Sequence, residues 1–256
     1  MHVELEHVTV ETEGKLARVT LNRPERLNAM HYPGVRDLDA VSQLLADDRD
    51  IRTVTIQGTG RAYCTGIDLK ELSKGEIDDS YYAVFEHTLR RFETMDKLVL
   101  CLVHGYALGG GLQLALACDI RVATPSVQLG LPAIKEGLIP GLGTLRLARY
   151  IGMGRAKQMT LLGNNVDGEE AHRIGLVDHL VDEESPREEF EEWVERYTDA
   201  NSKGSRLSKQ AMVGAFDLDY EAFLDRYLEL QAEARDSPDF EEAMEAYREE
   251  RDPAWE

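Results

Sequence analysis

The chain has 256 residues, 43% hydrophobic and 30% charged, which suits a soluble globular protein of one large domain or one domain with a small appendage. Its 48 acidic and 29 basic residues give a formal net charge of −19, which argues against nucleic acid or an anionic membrane as partner. Arginine outnumbers lysine, and an acidic, lysine-poor surface is expected of a protein from a high-salt cytoplasm, where screening removes self-repulsion. No apolar run approaches the roughly 20 residues that span a bilayer. The N-terminus shows no basic segment followed by an apolar run, so the expected location is cytoplasmic. Cys64, Cys101 and Cys118 form no CxxC pair, the two in apolar stretches read as reduced core residues, and the histidines show no metal-ligand spacing.

In chain order, Val3 to Val10 alternates as a strand, Gly14-Lys15 is a turn, and Leu16 to Leu21 is a second strand, so the chain is expected to begin with a hairpin. Asn22 to Ala29 is a loop. A helix follows from Pro33, with Val35, Leu38, Val41 and Leu45 at helical spacing. Val54 to Gln57 is a strand leading into the loop Arg61 to Leu69. Ser80 to Met95 is a helix, and Leu98 to Val103 is a short buried strand. Four glycines then occur in seven residues, Gly105 to Gly111, before a buried helical run at Leu112 to Ala117. Asp119 to Ala123 and Val127 to Leu129 read as strands, and Leu131 to Gly137 as a short turn or helix. Helices are expected at Leu145–Ile151, Arg155–Leu162 and Asp167–Ile174, the last with Asp167 as N-cap. A last short strand falls within Leu176 to Val181. Only helices follow: Glu184–Ala200, Ser205–Phe216, Tyr220–Ala234 and Pro238–Arg248. The pattern is an α/β core over residues 1–182 with a C-terminal α-helical region over 183–256.

A strand that enters a glycine-rich turn and leaves as a helix aims free backbone N–H groups into a space no side chain fills. Such a place can hold a phosphate, a carboxylate or a developing oxyanion. The glycines lack the spacing of a dinucleotide fingerprint or a P-loop, and no GxSxG elbow is present.

The motifs Leu21-Asn22-Arg23-Pro24, Tyr63-Cys64-Thr65-Gly66-Ile67-Asp68-Leu69, His104 to Gly111, Ala117-Cys118-Asp119, Gly137 to Gly141 and Ala171 to Val177 occur in this order. Together they resemble the crotonase (enoyl-CoA hydratase/isomerase) superfamily. The resemblance implies a crotonase-like ββα spiral, association as a homotrimer or hexamer through the C-terminal helices, and a coenzyme A thioester as substrate, with no separate cofactor. It implies that the backbone N–H groups of Ile67, after Gly66, and of Gly110 hold the thioester oxygen and stabilise an enolate. Arg26, Arg61 and Lys70 flank these loops and fit coenzyme A binding, and Asp68 fits a hydrogen-bonded brace of its loop.

The sequence departs from the family where hydratases carry two glutamates for acid–base work. Gln113 stands at the first position and Ala133 at the second, and neither titrates near neutral pH. A third family position for a carboxylate, after Ile139-Pro140, is Gly141. Glu136, three residues beyond Ala133, is the nearest replacement, with Gln113 left to orient water or substrate. The expected function is that of an acyl-CoA enzyme working through a thioester enolate with unusual acid–base residues. The alternatives are a thioester hydrolase or decarboxylase, or a non-catalytic acyl-CoA-binding paralogue.

Overall fold

The computed structural model describes residues 2–255. The chain opens with β1 (His2–Glu4), which folds back on β2 (Val8–Glu13); β2 pairs in turn with β3 (Leu16–Leu21) across Gly14. The single strand expected over Val3–Val10 is therefore two strands. The break is a tight turn in which the Leu5 N–H bonds the Val8 carbonyl. α1 (Tyr32–Asp47) buries Val35, Leu38, Val41 and Leu45, the stripe its periodicity predicts.

The chain then repeats one pattern. β4 (Thr53–Gly58) leads through the loop at residues 59–68 and a five-residue helix, α2 (Leu69–Ser73), to α3 (Asp79–Thr94). β5 (Leu98–Val103) leads through β6 (Tyr106–Leu108) to α4 (Gly110–Leu116). β7 (Ile120–Ala123) leads through β8 (Gln128–Gly130) and a 3-10 turn at Pro132–Glu136 to α5 (Gly143–Leu162). β3, β4, β5 and β7 lie side by side in parallel within a seven-stranded sheet, with β1 and β2 at one edge and β9 (His179–Leu180) at the other. The second piece of each repeat forms a second layer: Met30 bridges Ile67, Cys64 bridges Ala107, and β6 pairs with β8. Strand, short strand, helix, one layer to the next, is the ββα spiral, and the fold class is α/β as the sequence implies.

β5 reads as an unbroken apolar run because both its faces are covered. Val99, Cys101 and Val103 face the main core, while Leu100 and Leu102 face Phe190 and Val194 of α7 (Pro186–Asp199). The helical region thus begins by closing the open face of the sheet, after α6 (Gly168–Arg173) and the short β9. Asp167 caps α6, its carboxylate accepting from the Glu170 N–H at 2.8 Å. The two helices expected over 145–162 are present: within α5 the backbone leaves the helical conformation at Gly152, at φ +73°, and a second helical stretch begins beyond it.

α8 (Lys203–Gly214), α9 (Tyr220–Arg235) and α10 (Pro238–Glu249) complete the chain. A buried lysine anchors α8 to the core. Lys209 Nζ donates to the carbonyl oxygens of Phe92 and Lys97 at 3.0 and 2.8 Å and lies 2.8 Å from Asp119 Oδ2. Asp119 also accepts from the Val99 N–H, so one ion pair joins α8, the end of α3 and the start of β5. Lys209→Met leaves that carboxylate and both carbonyls without their partner. The expected cost is about 3 kcal/mol, measured as a lower denaturant midpoint; a midpoint equal to that of the unmodified chain would show the lysine to be dispensable.

Candidate active site

The two glycine loops meet. A Cβ on Gly66 would lie 2.5 Å from the Leu108 carbonyl oxygen and 2.8 Å from the Gly110 nitrogen, and Gly66 itself sits at φ +85°. Only glycine fits this approach. One residue after Gly110, a Cβ on Gly111 would lie 2.1 Å from the Cys64 carbonyl oxygen, so the start of α4 also rests on the loop backbone at Cys64 without a side chain between. Cys64 is fully buried, and burial pushes its thiol up to about 12, which makes it a packing residue rather than a nucleophile.

The bridge between Met30 and Ile67 fixes where the Ile67 N–H points. Met30 donates to the Gly66 carbonyl at 2.7 Å and accepts from the Asp68 N–H at 2.9 Å. In such a parallel bridge, the intervening residue's own N–H faces the other way. Among the described residues neither the Ile67 N–H nor the Gly110 N–H has a partner. α4 is only seven residues long, so the local N–H groups, rather than a long aligned helix, supply the positive potential here.

Two cavities share this point. An inner cavity of about 190 Å³ is walled by Tyr81, Tyr82 and Phe85 of α3, by Leu138 to Leu142, and by Ile67, Gly110, Gln113 and Ala133. An outer groove of about 390 Å³ runs past Arg26, Asp68, Lys70 and Glu136. Ile67, Gly109, Ala133 and Leu138 line both. A ligand with a polar, charged arm and a short acyl arm can therefore lie with its junction at Ile67 and Gly110.

The other residues singled out by sequence fall as follows. Arg26 and Lys70 are exposed and line the outer groove. Arg61 lines neither cavity: the chain turns before Ala62, and the Arg61 carbonyl packs against Gly105 instead. Asp68 is 5% exposed, and both its oxygens are engaged. One accepts from the Lys70 and Glu71 N–H groups and caps α2; the other accepts from Arg23 Nη1 at 2.8 Å. Burial alone would raise the Asp68 pKa, but the Arg23 guanidinium and the two N–H donors outweigh it and hold the carboxyl below its usual range. Tyr81 donates to the Met30 carbonyl, and His87 is exposed outside both cavities. His104 is half-buried rather than in the core, and its Nε2 lies 3.1 Å from the Gly60 carbonyl oxygen in an exposed contact.

Gln113 is buried, and its Oε1 accepts from the Gly143 N–H at 2.9 Å. That bond fixes the amide orientation and leaves Nε2 as the free donor in the cavity wall. Ala133 presents a methyl group where the two cavities join. Glu136 does not reach the inner cavity. In a 3-10 turn residues three apart are eclipsed, so Glu136 stacks over Ala133 one turn farther along, and its side chain lies exposed in the outer groove. Sequence reasoning missed Glu86. It lies on α3, four residues after Tyr82 on the same helix face, and is the one charged side chain in the lining of the inner cavity among the described residues.

The α/β spiral thus frames two facing glycine loops with an inner cavity and a charged outer groove. Residues 11–256 match the enoyl-CoA hydratase/isomerase family. Over 253 residues the chain is 34% identical to the short-chain-enoyl-CoA hydratase of Clostridium acetobutylicum, covering 97% of each protein. It is also 34% identical to the (E)-benzylidenesuccinyl-CoA hydratase of Thauera aromatica, over 97% of this chain and 98% of the other. The crystal structure of an enoyl-CoA hydratase from Bacillus anthracis superposes with a TM-score of 0.89 at 28% identity, covering 98% of this chain and 99% of that one. The chain belongs to the enoyl-CoA hydratase/isomerase family.

Asp68→Asn removes the charge that braces the Gly66 loop. The expected loss is about 2 kcal/mol at pH 7. A carboxyl whose folded pKa is depressed stabilises fully above its ordinary pKa of about 4 and loses that contribution as pH falls through the lower folded value. Denaturant unfolding of both proteins at stepped pH should therefore show the gap closing below that point. A gap that stays constant down to pH 3 contradicts the assignment.

Proposed function

We propose that the chain catalyses a reaction of a coenzyme A thioester in which negative charge collects on the thioester oxygen, held between the N–H groups of Ile67 and Gly110. The observation that carries this reading is the pair of unpartnered N–H groups where the inner cavity meets the outer groove. Donors fixed by the fold stabilise an enolate oxygen more than a neutral carbonyl, because their orientation costs nothing during the reaction. Arg26 and Lys70 line the outer groove, and their positive charge supports a role in holding the phosphates of a coenzyme A moiety that enters as part of the substrate. The relatives named as hydratases support a 2-enoyl thioester as the acyl class. Gln113 and Ala133 place the proton transfers on residues other than the two expected glutamates. A malonyl-type acyl group, as a decarboxylase would take, would bring a second carboxylate into the cavity that already holds Glu86, and like charges oppose each other there.

Exposed apolar residues in the C-terminal region, among them Met212, Tyr220 and Leu228 on its helices and Phe216 in the turn between α8 and α9, support association of several copies through this region. The net charge of −19 supports adaptation to high salt, so activity belongs in molar KCl. The test is a panel of 2-enoyl, 3-ketoacyl and malonyl-type coenzyme A thioesters assayed there. Turnover of a 2-enoyl thioester is expected. Preferred turnover of a malonyl-type thioester would favour decarboxylation or hydrolysis. Tight binding with no turnover of any of them would make the chain an acyl-CoA-binding protein.

A further inference from the structure

Besides the two tyrosines of its wall, the inner cavity has two polar side chains, Glu86 and Gln113, and they face one small space. A Cβ on Gly141 would lie 2.6 Å from Glu86 Oε1, 3.0 Å from Gln113 Oε1 and 3.4 Å from Gln113 Nε2. Position 141, which lacks a side chain, is therefore filled from α3: the Glu86 carboxylate stands where a side chain from the loop would otherwise project. The carboxylate is held at both ends. Oε1 accepts from the Leu142 N–H at 2.8 Å, and Oε2 lies 2.6 Å from Arg146 Nη1. Arg146 is itself buried and already has a second partner, Glu93, whose Oε1 accepts from its Nε at 2.6 Å. Glu93 does not line the inner cavity, so charge balance for Arg146 does not by itself require a carboxylate on the cavity wall. Oε1 keeps a lone pair free after its one backbone bond. Across the same space, Gln113 offers Nε2 as a donor.

We propose that Glu86 is the acid–base residue of this enzyme, with Gln113 orienting the group it acts on and Arg146 as its positioning residue. The inference rests on the enolate reading above. For a 2-enoyl thioester the step balances as follows. A water accepts a hydrogen bond from Gln113 Nε2 and gives a proton to Glu86 as its oxygen bonds to the β-carbon. The π electrons of the double bond move through the α-carbon onto the thioester oxygen, between Ile67 and Gly110. The proton on Glu86 then passes to the α-carbon, the carbonyl re-forms, and water has added across the double bond with Glu86 returned to its starting state. One carboxylate does the work for which the family usually supplies two, and it comes from a different element.

The test uses the full chain in high salt with whichever thioester of the panel turns over fastest. Glu86→Gln keeps an acceptor for the Leu142 N–H and the side-chain shape but removes the base. It should lower kcat by about 1,000-fold with KM little changed. Glu93→Gln, which alters the same arginine from outside the cavity, should leave kcat near that of the unmodified chain. Glu86→Asp keeps the ion pair, and with it the fold, but withdraws the carboxylate by one methylene. It should lose kcat while circular dichroism and melting stay unchanged, which keeps the test valid if Glu86→Gln folds poorly. Full kcat in a folded Glu86→Gln or Glu86→Asp chain would overturn the assignment and leave the enolate reading standing. So would equal losses in Glu86→Gln and Glu93→Gln, which would reduce Glu86 to a support for Arg146. No turnover of any thioester by the unmodified chain would overturn the enolate reading itself and this inference with it.

Discussion

The site depends on one close approach: the backbone at Gly66 lies against the backbone at Leu108 and Gly110, with no room for a Cβ between them. Each loop alone is an ordinary turn at the end of a buried strand. Brought together, they leave the N–H groups of Ile67 and Gly110 without partners among the described residues, at the junction of an inner cavity and a charged groove. The spiral enforces the approach. The Cys64–Ala107 bridge and the Met30–Ile67 bridge set the register of the second layer, and the Asp68 brace locks the loop beyond it. The donors belong to the main chain, so they persist whatever side chains the loops carry. The acid–base groups are side chains and are free to change.

The side chains around the inner cavity follow from that separation. Gln113 retains the position on α4, one turn in from Gly110, but as an amide pinned by the Gly143 N–H. Ala133 and Gly141 carry nothing that titrates. The methyl group of Ala133 and the bare backbone of Gly141 leave the space that Glu86 reaches from α3, and Arg146 makes a carboxylate tolerable there, since a charge beside an apolar cavity is costly unless paired. The charged group of the inner cavity thus lies on the wall formed by α3 rather than on the two loops opposite.

Much of this was legible in the sequence where the signal is local. The glycine spacing marked both loops, the apolar stripe marked α1, and Asp167 marked the start of α6. β6 was not legible, because three residues within a glycine-rich stretch show no alternation; their pairing with β8 is what makes them a strand. α2 was missed for a similar reason: it is five residues long and is held by the Asp68 cap rather than by helical periodicity. Arg61 looked well placed for the groove because it is near Gly66 in sequence, but the turn before Ala62 carries it away. Glu136 was expected near the inner space from its three-residue spacing, and the eclipsed geometry of a 3-10 turn keeps it outside. Glu86 could not be found from its neighbours in the chain, because its partner Leu142 is 56 residues away. The available hint was indirect: a glutamate four residues after Tyr82 on the cavity-facing side of a helix.

The central claim is that the main chain at Ile67 and Gly110 holds the thioester oxygen. Infrared difference spectroscopy of a bound acyl-CoA carrying 13C at the thioester carbonyl reads this directly. Two hydrogen bonds from a fixed, water-poor site should move the carbonyl stretch to lower frequency than the same thioester shows in water. A band unchanged from solution would mean that the oxygen lies elsewhere, and the account of the site would fail.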